Sequence, residues 1–284
     1  MTIGLTGVTG HVGRRVRELL SESGPPLVLL ARTPGKVVAG PQDDVRRCDF
    51  ADPEGAVRAL SGVDTLLMVS ASEAADRLDQ HRAFVRAAAT AGVQHVVYTS
   101  FQGAAADCTF TLGRDHWATE QAIRDAGLRF TFLRDSFYAD FVPLMAQDGV
   151  IRGPAGDGRV ALVAREDVAA VAAAVLVDPD AHADTAYDLT GPEALTLGEA
   201  AALVSEVTGR ATRFLDETVA EAYASRASYG APDWQVDAWV STYTAIAAGE
   251  VAAVSDAVPT ISGRPATSLR ALLEQSVRGD ASPS

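Results

Sequence analysis

The sequence predicts an α/β protein built on a doubly wound parallel sheet, and three observations support that fold class. Short apolar segments alternate with amphipathic stretches over the first two-thirds of the chain, which is typical of strand–helix–strand units. The apolar segments are rich in Val, Leu and Ile, as expected of strands buried on both faces. The first of them runs directly into a glycine-rich turn, a combination found where such sheets bind ligands.

Six strands and four helices are predicted in this first part of the chain. The strands are predicted over residues 2–5, 27–31, 45–47, 65–69, 95–99 and 129–133. The helices are predicted over residues 12–21, 53–60, 78–91 and 116–126. Pro53 after Asp52 is a favourable helix start, and Gly92 and Gly127 are suitable helix ends.

The pattern loosens after about residue 135, although several elements are still predicted. A helix is expected over residues 166–177, followed by a short strand over 186–189. Thr196 and Glu199 are spaced as a capping box, which predicts a helix over residues 196–207. Residues 216–255 are mostly helical in pattern.

Composition and charge exclude several classes of protein. The 284 residues are 48% hydrophobic and 21% charged, with a formal net charge of −13, which indicates a globular chain. A strongly acidic protein is a poor partner for nucleic acid or an anionic membrane. Because no apolar run approaches the roughly 20 residues of a membrane helix and no signal-peptide pattern is seen, we expect a cytoplasmic protein. Cys48 and Cys108 are too few for a disulfide framework, and the absence of metal-ligand spacing predicts no metal.

The charge is unevenly distributed. Residues 1–50 hold seven Arg or Lys against five Asp or Glu, whereas the remainder of the chain is strongly acidic. A locally basic start on an acidic protein suits one small phosphorylated ligand better than a polymer. Lys36 is the only lysine, so any mechanism that needs a catalytic lysine would have to use it.

The glycine-rich turn carries the first functional prediction. It reads Thr6-Gly7-Val8-Thr9-Gly10-His11-Val12-Gly13 and stands between a predicted strand and a predicted helix. In this setting the first glycine permits a tight turn, the second lets a pyrophosphate approach the backbone, and the third lets the helix pack on the sheet. The helix N-terminus then offers N–H groups to the phosphates. The predicted cofactor-binding residues here are Gly7, Thr9, Gly10, His11, Val12 and Gly13.

The ends of the next strands indicate which dinucleotide binds. Arg32 stands where NAD-binding versions carry an acidic residue, and a guanidinium there can pair with a 2′-phosphate. Lys36 adds a second charge, so NADP(H) is predicted; the alternative is that Arg32 is a solvated loop charge. Asp49 and Phe50 follow the third strand, where they could flank the adenine, although Phe50 could equally belong to the core. Small residues follow the fourth strand and leave room for ribose or nicotinamide: Ser70, Ala71 and Ser72.

Several further motifs carry a family resemblance. They are Ser70-x-Ser-Glu73, Gln80-His81-Arg82, Tyr98-Thr-Ser100, His116-x-x-x-Glu120, Leu133-Arg134-x-x-x-Tyr138, Ala155-Gly-Asp-Gly158 and Gly263-Arg-Pro-Ala-Thr267. With the glycine loop and Arg32-x-Pro-x-Lys36, they cover almost the whole chain. The sequence resembles the NmrA-like atypical short-chain dehydrogenase/reductase family, and within it the NAD(P)H:quinone oxidoreductase type 2 proteins.

The resemblance implies a domain plan and an activity. A Rossmann-like NAD(P)-binding domain is expected over residues 1–135, and a smaller, mainly helical substrate lobe over 136–284, with 162–192 rejoining the sheet. Phe137, Tyr138 and Arg165 would join the cofactor-binding residues. Hydride would pass directly from NADPH to a quinone-like or aromatic carbonyl compound, with no flavin. A homodimer stays open.

The proton donor is the least determined part of this prediction. Ordinary short-chain dehydrogenases use Tyr-x-x-x-Lys, which cannot exist here because Lys36 lies in the predicted cofactor loop. His116 is a candidate because histidine titrates near neutral pH, and Tyr138 is a second candidate. Two alternatives to a quinone reductase stay open: a non-catalytic dinucleotide sensor of the NmrA type, and a specialised reductase of an aromatic natural product.

Overall fold

A computed structural model describes residues 1–21 and 26–280. The strands are β1 (Ile3–Leu5), β2 (Leu27–Ala31), β3 (Asp44–Arg47), β4 (Thr65–Met68), β5 (His95–Phe101), β6 (Arg129–Asp135), β7 (Val150–Gly153), β8 (Arg159–Val160), β9 (Thr185–Leu189), β10 (Leu195–Thr196) and β11 (Arg213–Asp216). The helices are α1 (His11–Ser21), α2 (Pro53–Ala59), α3 (Arg77–Ala91), α4 (Thr111–Asp125), α5 (Val142–Met145), α6 (Arg165–Val177), α7 (Leu197–Thr208), α8 (Val219–Arg226), α9 (Asp233–Ala247), α10 (Ala257–Ser262) and α11 (Leu269–Asp280).

Seven strands form one sheet in the order β3-β2-β1-β4-β5-β6-β9. The registers from β3 through β5 are parallel. The order reverses at β1, whose neighbours are β2 and β4, and in such sheets ligands bind beyond the carboxyl ends of the strands at this point. The predicted fold class, a Rossmann-like doubly wound sheet with a helical C-terminal region, is confirmed.

The described chain forms two compact units. The first comprises Met1–Phe101, Asp115–Arg134 and Val168–Tyr187, and therefore holds most of the large sheet. Its core includes Phe84, Tyr98 and Phe132, which are all fully buried. The second comprises Gln102–Arg114, Asp135–Asp167 and the chain from Asp188 onward.

The second unit combines helices with two short ribbons of two strands each. β7 pairs with β11 in parallel, and β8 pairs with β10 in antiparallel fashion. Helix α7 packs against α11. No helix among residues 1–21 and 26–280 has both the length and the apolar character that a membrane crossing needs.

Local sequence signals explain most helix ends. The Asp52 carboxylate accepts a hydrogen bond from Gly55 N at 3.0 Å and caps α2. The capping box of Thr196 and Glu199 is formed at the start of α7. Gly92 ends α3 with a φ of +85°, a conformation that favours glycine.

The predicted start of the fourth helix is wrong. The prediction placed it at His116, whereas α4 begins at Thr111, so His116 lies in the second turn. The N–H of Thr109 donates to the Glu250 carboxylate at 3.0 Å, and the N–H of Thr111 donates to Ser241 Oγ at 3.1 Å. These acceptors satisfy free N–H groups at the start of the helix, but they lie more than a hundred residues away in sequence.

Candidate cofactor-binding and active site

The glycine loop lies at the carboxyl end of β1, and two of its glycines are required by sterics. Gly7 has a φ of +66°, and a Cβ there would lie 2.8 Å from Val69 Cβ. A Cβ on Gly13 would lie 2.5 Å from the carbonyl carbon and oxygen of Gly7, so only glycine lets α1 pack this closely on β1. Thr9 and Gly10 are exposed and His11 is half-buried, which leaves the first turn of α1 open at its N-terminus.

Gly10 needs a different explanation. Its φ is not positive, and an added Cβ would meet only the Gly7 carbonyl oxygen at 3.3 Å. The fold therefore tolerates a side chain here better than at Gly13, and a bare backbone serves the close approach of a ligand instead. With the open helix N-terminus beside it, this cradle fits a diphosphate.

Three exposed cations follow β2 and β3. Arg32 comes directly after β2, and Lys36 ends a 3-10 turn over Pro34–Lys36. Arg47, the last residue of β3, pairs in register with Ala31. Within the described part of the chain, none of these three side chains has an ion pair, whereas Arg46 donates to Asp44 and to two backbone carbonyls. Free cations at this edge suit a 2′-phosphate.

Arg47 is absent from the sequence prediction. The adjacent pair Arg46-Arg47 was a visible signal, but the sequence does not tell which of the two is engaged by the fold. Asp49 and Phe50, which were predicted near the adenine, have partners inside the first unit. The Asp49 carboxylate accepts from Ala51 N at 3.1 Å, and the Phe50 ring stacks on Phe84 at 3.9 Å between centroids.

The segment after β4 is held by side chains rather than by a neighbouring strand. Val69 N donates to Thr6 Oγ1 at 2.8 Å. Ser70 N donates to Thr99 Oγ1 at 2.9 Å. Ser70 and Ala71 are half-buried and Ser72 is exposed, so the segment keeps an open side at the carboxyl edge of the sheet, next to β1.

His116 is enclosed in the first unit. It is 7% exposed, and its Nε2 lies 3.1 Å from Arg77 Nη2 while its Nδ1 lies 2.9 Å from Tyr98 Oη. Because a guanidinium only donates, Nε2 accepts and Nδ1 carries the hydrogen. Burial, with the charge of Arg77, lowers the pKa of His116 well below its ordinary value. Both ring nitrogens are thus engaged, and the ring is neutral.

Glu120 lies one helical turn beyond His116 and has other partners. Its carboxylate accepts from Ser100 Oγ at 2.6 Å and from Arg134 Nε and Nη2 at 2.9 and 2.7 Å. Glu120 is fully buried, and the two-point bond from Arg134 compensates its charge. The Glu120–Arg134 pair, through Ser100, fixes the end of β5. Glu120 therefore bonds other residues than His116, whose Nε2 accepts from Arg77.

Tyr138 and Asp135 form a pair in the second unit. The Tyr138 hydroxyl donates to Asp135 Oδ2 at 2.7 Å, and Asp135 is 3% exposed. Burial raises the pKa of Asp135 to about 8, although the bond from Tyr138 opposes the rise. Burial and the neighbouring Asp135 also raise the pKa of Tyr138 well above its usual range. At neutral pH the pair therefore holds two protons.

The other residues predicted beyond β6 also lie in the second unit. Phe137 packs edge-on against Phe110 at 5.3 Å between centroids. Arg165 forms an ion pair with Asp140, with Nε and Oδ1 3.1 Å apart. Its guanidinium lies 5.3 Å from the centroid of the Phe141 ring.

Comparison with known proteins agrees with this geometry. Residues 7–179 match the model of a family described as NAD(P)H-binding. The chain belongs to this family. It is 33% identical to quinone oxidoreductase 2 of Escherichia coli over 94% of this chain and 96% of that protein. It is 32% identical to an NAD(P)H azoreductase of Xenophilus azovorans over 92% and 93% of the two chains.

A solved structure of the NADPH complex of the Escherichia coli quinone oxidoreductase superposes with a TM-score of 0.88. The two sequences are 31% identical, and the match covers 98% of this chain and all of the other. The resemblance to the NmrA-like reductases that the motifs indicated is confirmed.

Proposed function

We propose that this NAD(P)H-dependent oxidoreductase passes a hydride from NADPH directly, without flavin, to a quinone-like or other conjugated carbonyl compound. The observation that carries the proposal is the glycine loop at the carboxyl end of β1, with the exposed cations Arg32, Lys36 and Arg47 at or just beyond the ends of β2 and β3. NADPH, when bound, supplies the hydride. The named activities of the quinone oxidoreductase and azoreductase relatives support small, conjugated acceptors.

The chain's residues have distinct roles in this proposal. The N–H groups of residues 11–13 bind the diphosphate, and Arg32 with Lys36 binds the 2′-phosphate. Reduction of a quinone to a hydroquinone takes one hydride and one proton. We assign that proton to Tyr138 Oη, because the Tyr138 hydroxyl is hydrogen-bonded to a buried carboxyl group that can replace the proton. Asp135, protonated near neutral pH, then returns a proton to the Tyr138 oxygen.

Tyr138 is preferred to His116 as the donor on geometric grounds. Both nitrogens of His116 are bonded inside the first unit, so releasing a proton would break the bond to Tyr98. Tyr138 is half-buried rather than enclosed, and Asp135, which its hydroxyl contacts, itself carries a replacement proton below a pH of about 8. General acid catalysis of this kind contributes about 10²- to 10⁴-fold to a rate.

The cofactor assignment is tested by calorimetry with NADPH and NADH. Losing charge-assisted hydrogen bonds costs about 1.5–3 kcal/mol, so Arg32→Glu is expected to weaken NADPH binding by about 10- to 150-fold and to leave NADH binding little changed. An unchanged dissociation constant for NADPH would contradict the assignment. Arg46→Glu is the matched control, since Arg46 already has partners.

The reaction is tested by NADPH oxidation with a panel of small quinones, using protein whose visible spectrum shows no flavin. Tyr138→Phe is expected to lower kcat by at least about a hundredfold, and Asp135→Asn to remove the fall in kcat as the pH rises through about 8. Tyr187→Phe, which removes a hydroxyl bonded to His182, is the control. Tight NADPH binding without turnover of any quinone would favour the alternative of a non-catalytic dinucleotide sensor.

A further inference from the structure

Buried side chains hold the two peptide groups on either side of the Ala71 α-carbon. The Ala71 N–H donates to His81 Nε2 at 2.9 Å, and its carbonyl oxygen accepts from Arg77 Nε at 2.9 Å. His81 is fully buried and Arg77 is 3% exposed. Burying a guanidinium and an imidazole is costly unless each is fully hydrogen-bonded. The remaining nitrogens of these two side chains have partners as well.

The tautomer of His81 is fixed by Thr119. The Thr119 hydroxyl donates to the carbonyl oxygen of Asp115 at 2.7 Å, so its oxygen is free to accept from His81 Nδ1, 2.9 Å away. Nδ1 therefore carries the hydrogen, and the lone pair of Nε2 points to the N–H of Ala71. Burial and the neighbouring Arg77 lower the pKa of His81 to about 3, so this arrangement persists across the working pH range.

Arg77 is fixed in the same way, on three sides. Besides the Ala71 carbonyl, its Nη1 lies 3.4 Å from Asp115 Oδ2 and its Nη2 lies 3.1 Å from His116 Nε2. His116 is held in turn by Tyr98 Oη. Each of the three guanidinium nitrogens thus has a partner, and the Nε–H that reaches Ala71 has a defined position.

The order of the strands indicates which part of the cofactor this segment faces. β1 lies between β2 and β4. The cradle after β1 suits the diphosphate, and Arg32 and Lys36 after β2 suit the 2′-phosphate of the adenosine half. The nicotinamide half must then extend to the other side of β1, over the end of β4, where residues 70–72 lie.

We propose that His81 and Arg77 are positioning residues that hold the backbone of Ala71 so that residues 70–72 receive the nicotinamide half of the cofactor. This inference rests on the proposed cofactor site. His81 and Arg77 would then strengthen the binding of the whole dinucleotide without affecting the binding of its adenosine half. His116 would have a role as well, through Arg77.

The test compares two ligands on the same variants. NADPH contains both halves, whereas adenosine 2′,5′-bisphosphate has the 2′-phosphate and the adenine but no nicotinamide. His81→Leu removes the acceptor for the half-buried N–H of Ala71 and leaves that group without a protein partner, a loss of between about 1 and 3 kcal/mol. The dissociation constant for NADPH is expected to rise about 5- to 150-fold, and that for the bisphosphate less than twofold.

Two further variants, at His81 and at Thr119, distinguish loss of the positioning role from a general loss of stability. His81→Gln keeps an acceptor oxygen at the end of a side chain of similar reach, and is expected to restore most of the NADPH affinity. Thr119→Val removes the acceptor for His81 Nδ1, and is expected to change the ratio of the two dissociation constants in the same direction as His81→Leu. Neither result is expected from a general loss of stability.

The control is another buried histidine in the first unit. His95 is 2% exposed and its Nε2 bonds Thr131 Oγ1 at 2.8 Å. It is the first residue of β5, however, and so lies at the amino ends of the strands, away from the carboxyl ends where residues 70–72 lie. His95→Leu is expected to lower the melting temperature and to leave both dissociation constants unchanged.

Two results would overturn the positioning role. One is that His81→Leu weakens NADPH and the bisphosphate by the same factor; the other is that it weakens neither. Failure of the proposed reaction would look different, because wild-type protein would then bind NADPH and reduce no quinone. In that case the ratio of the two dissociation constants still tests the role of residues 70–72.

Discussion

The buried carboxyl group of Asp135 makes the stability of the protein depend on pH in a way that can be calculated. Burial raises its pKa from 3.8 to about 8 in the folded chain, while the unfolded chain keeps a value near 3.9. Between these two values the folded state binds one more proton than the unfolded state. Stability therefore falls as the pH rises, by about 1.4 kcal/mol per pH unit, and levels off above pH 8.

Asp135→Asn removes this titration and keeps an oxygen that accepts from Tyr138. From pH 5 to pH 8, the wild type is expected to lose about 3–4 kcal/mol of unfolding free energy relative to this variant. The measurement is guanidinium-induced unfolding at several pH values, taken as the difference between the two proteins. The other titrating groups, such as the buried His81 and His95, cancel in that difference.

Tyr138→Phe provides a second test of the Asp135 titration. The Tyr138 hydroxyl bond lowers the pKa of Asp135, so removing it is expected to move the levelling-off to a higher pH. If the wild type and Asp135→Asn gave parallel curves from pH 5 to pH 8, Asp135 would not carry the extra proton. The proton-return role given to it above would then fail as well.

Three other substitutions test separate parts of the structure. Gly13→Ala places a Cβ 2.5 Å from loop backbone atoms, so we expect a loss of about 1–3 kcal/mol in chemical unfolding and weaker NADPH binding. Arg47→Ala is expected to weaken NADPH but not NADH in calorimetry, whereas Arg46→Ala leaves their ratio unchanged; equal effects would remove Arg47 from the phosphate site. Arg226→Met strands the buried carboxylate of Glu217, bonded at 3.0 Å, which is expected to cost about 3–5 kcal/mol, partly regained in the double variant with Glu217→Met.

Elements set by neighbouring residues could be predicted from the sequence. Asp52 and Pro53 mark the start of α2, and Thr196 with Glu199 marks the start of α7, because each cap is made within one helical turn. The start of α4 could not be found this way. Its free N–H groups are satisfied by Ser241 and Glu250, which no local pattern connects to Thr111.

The short strands of the second unit were missed for a related reason. β7 spans only four residues, and its partner β11 begins sixty residues later in the chain. A strand of that length carries little periodicity of its own. β7 forms because it pairs with a segment that is distant in the sequence, and the residue pattern of either segment alone does not predict that pairing.

The candidate site divides along the same line. The roles of the glycine loop and Arg32 can be predicted from residue type and from position directly after a strand. The sequence alone therefore predicts a dinucleotide-binding loop and a cation that binds the 2′-phosphate. The contact of Arg77 with the Ala71 backbone requires the Arg77 side chain to be buried. It also requires a hydrogen bond to His116, which lies on another helix 39 residues later in the sequence. A charged residue on a predicted helix gives no sign of this, since arginine is mostly exposed.

The solitary lysine has a practical consequence. Lys36 is exposed on the turn after β2, so an amine-reactive acylating reagent can mark only that side chain and the terminal amine. The terminal amine lies 3.9 Å from the Asp64 carboxylate, which distinguishes its surroundings from those of Lys36. Intact-mass spectrometry and peptide mapping of the chain, acylated with and without NADPH, would thus test whether the dinucleotide shields the end of β2, with no engineered label.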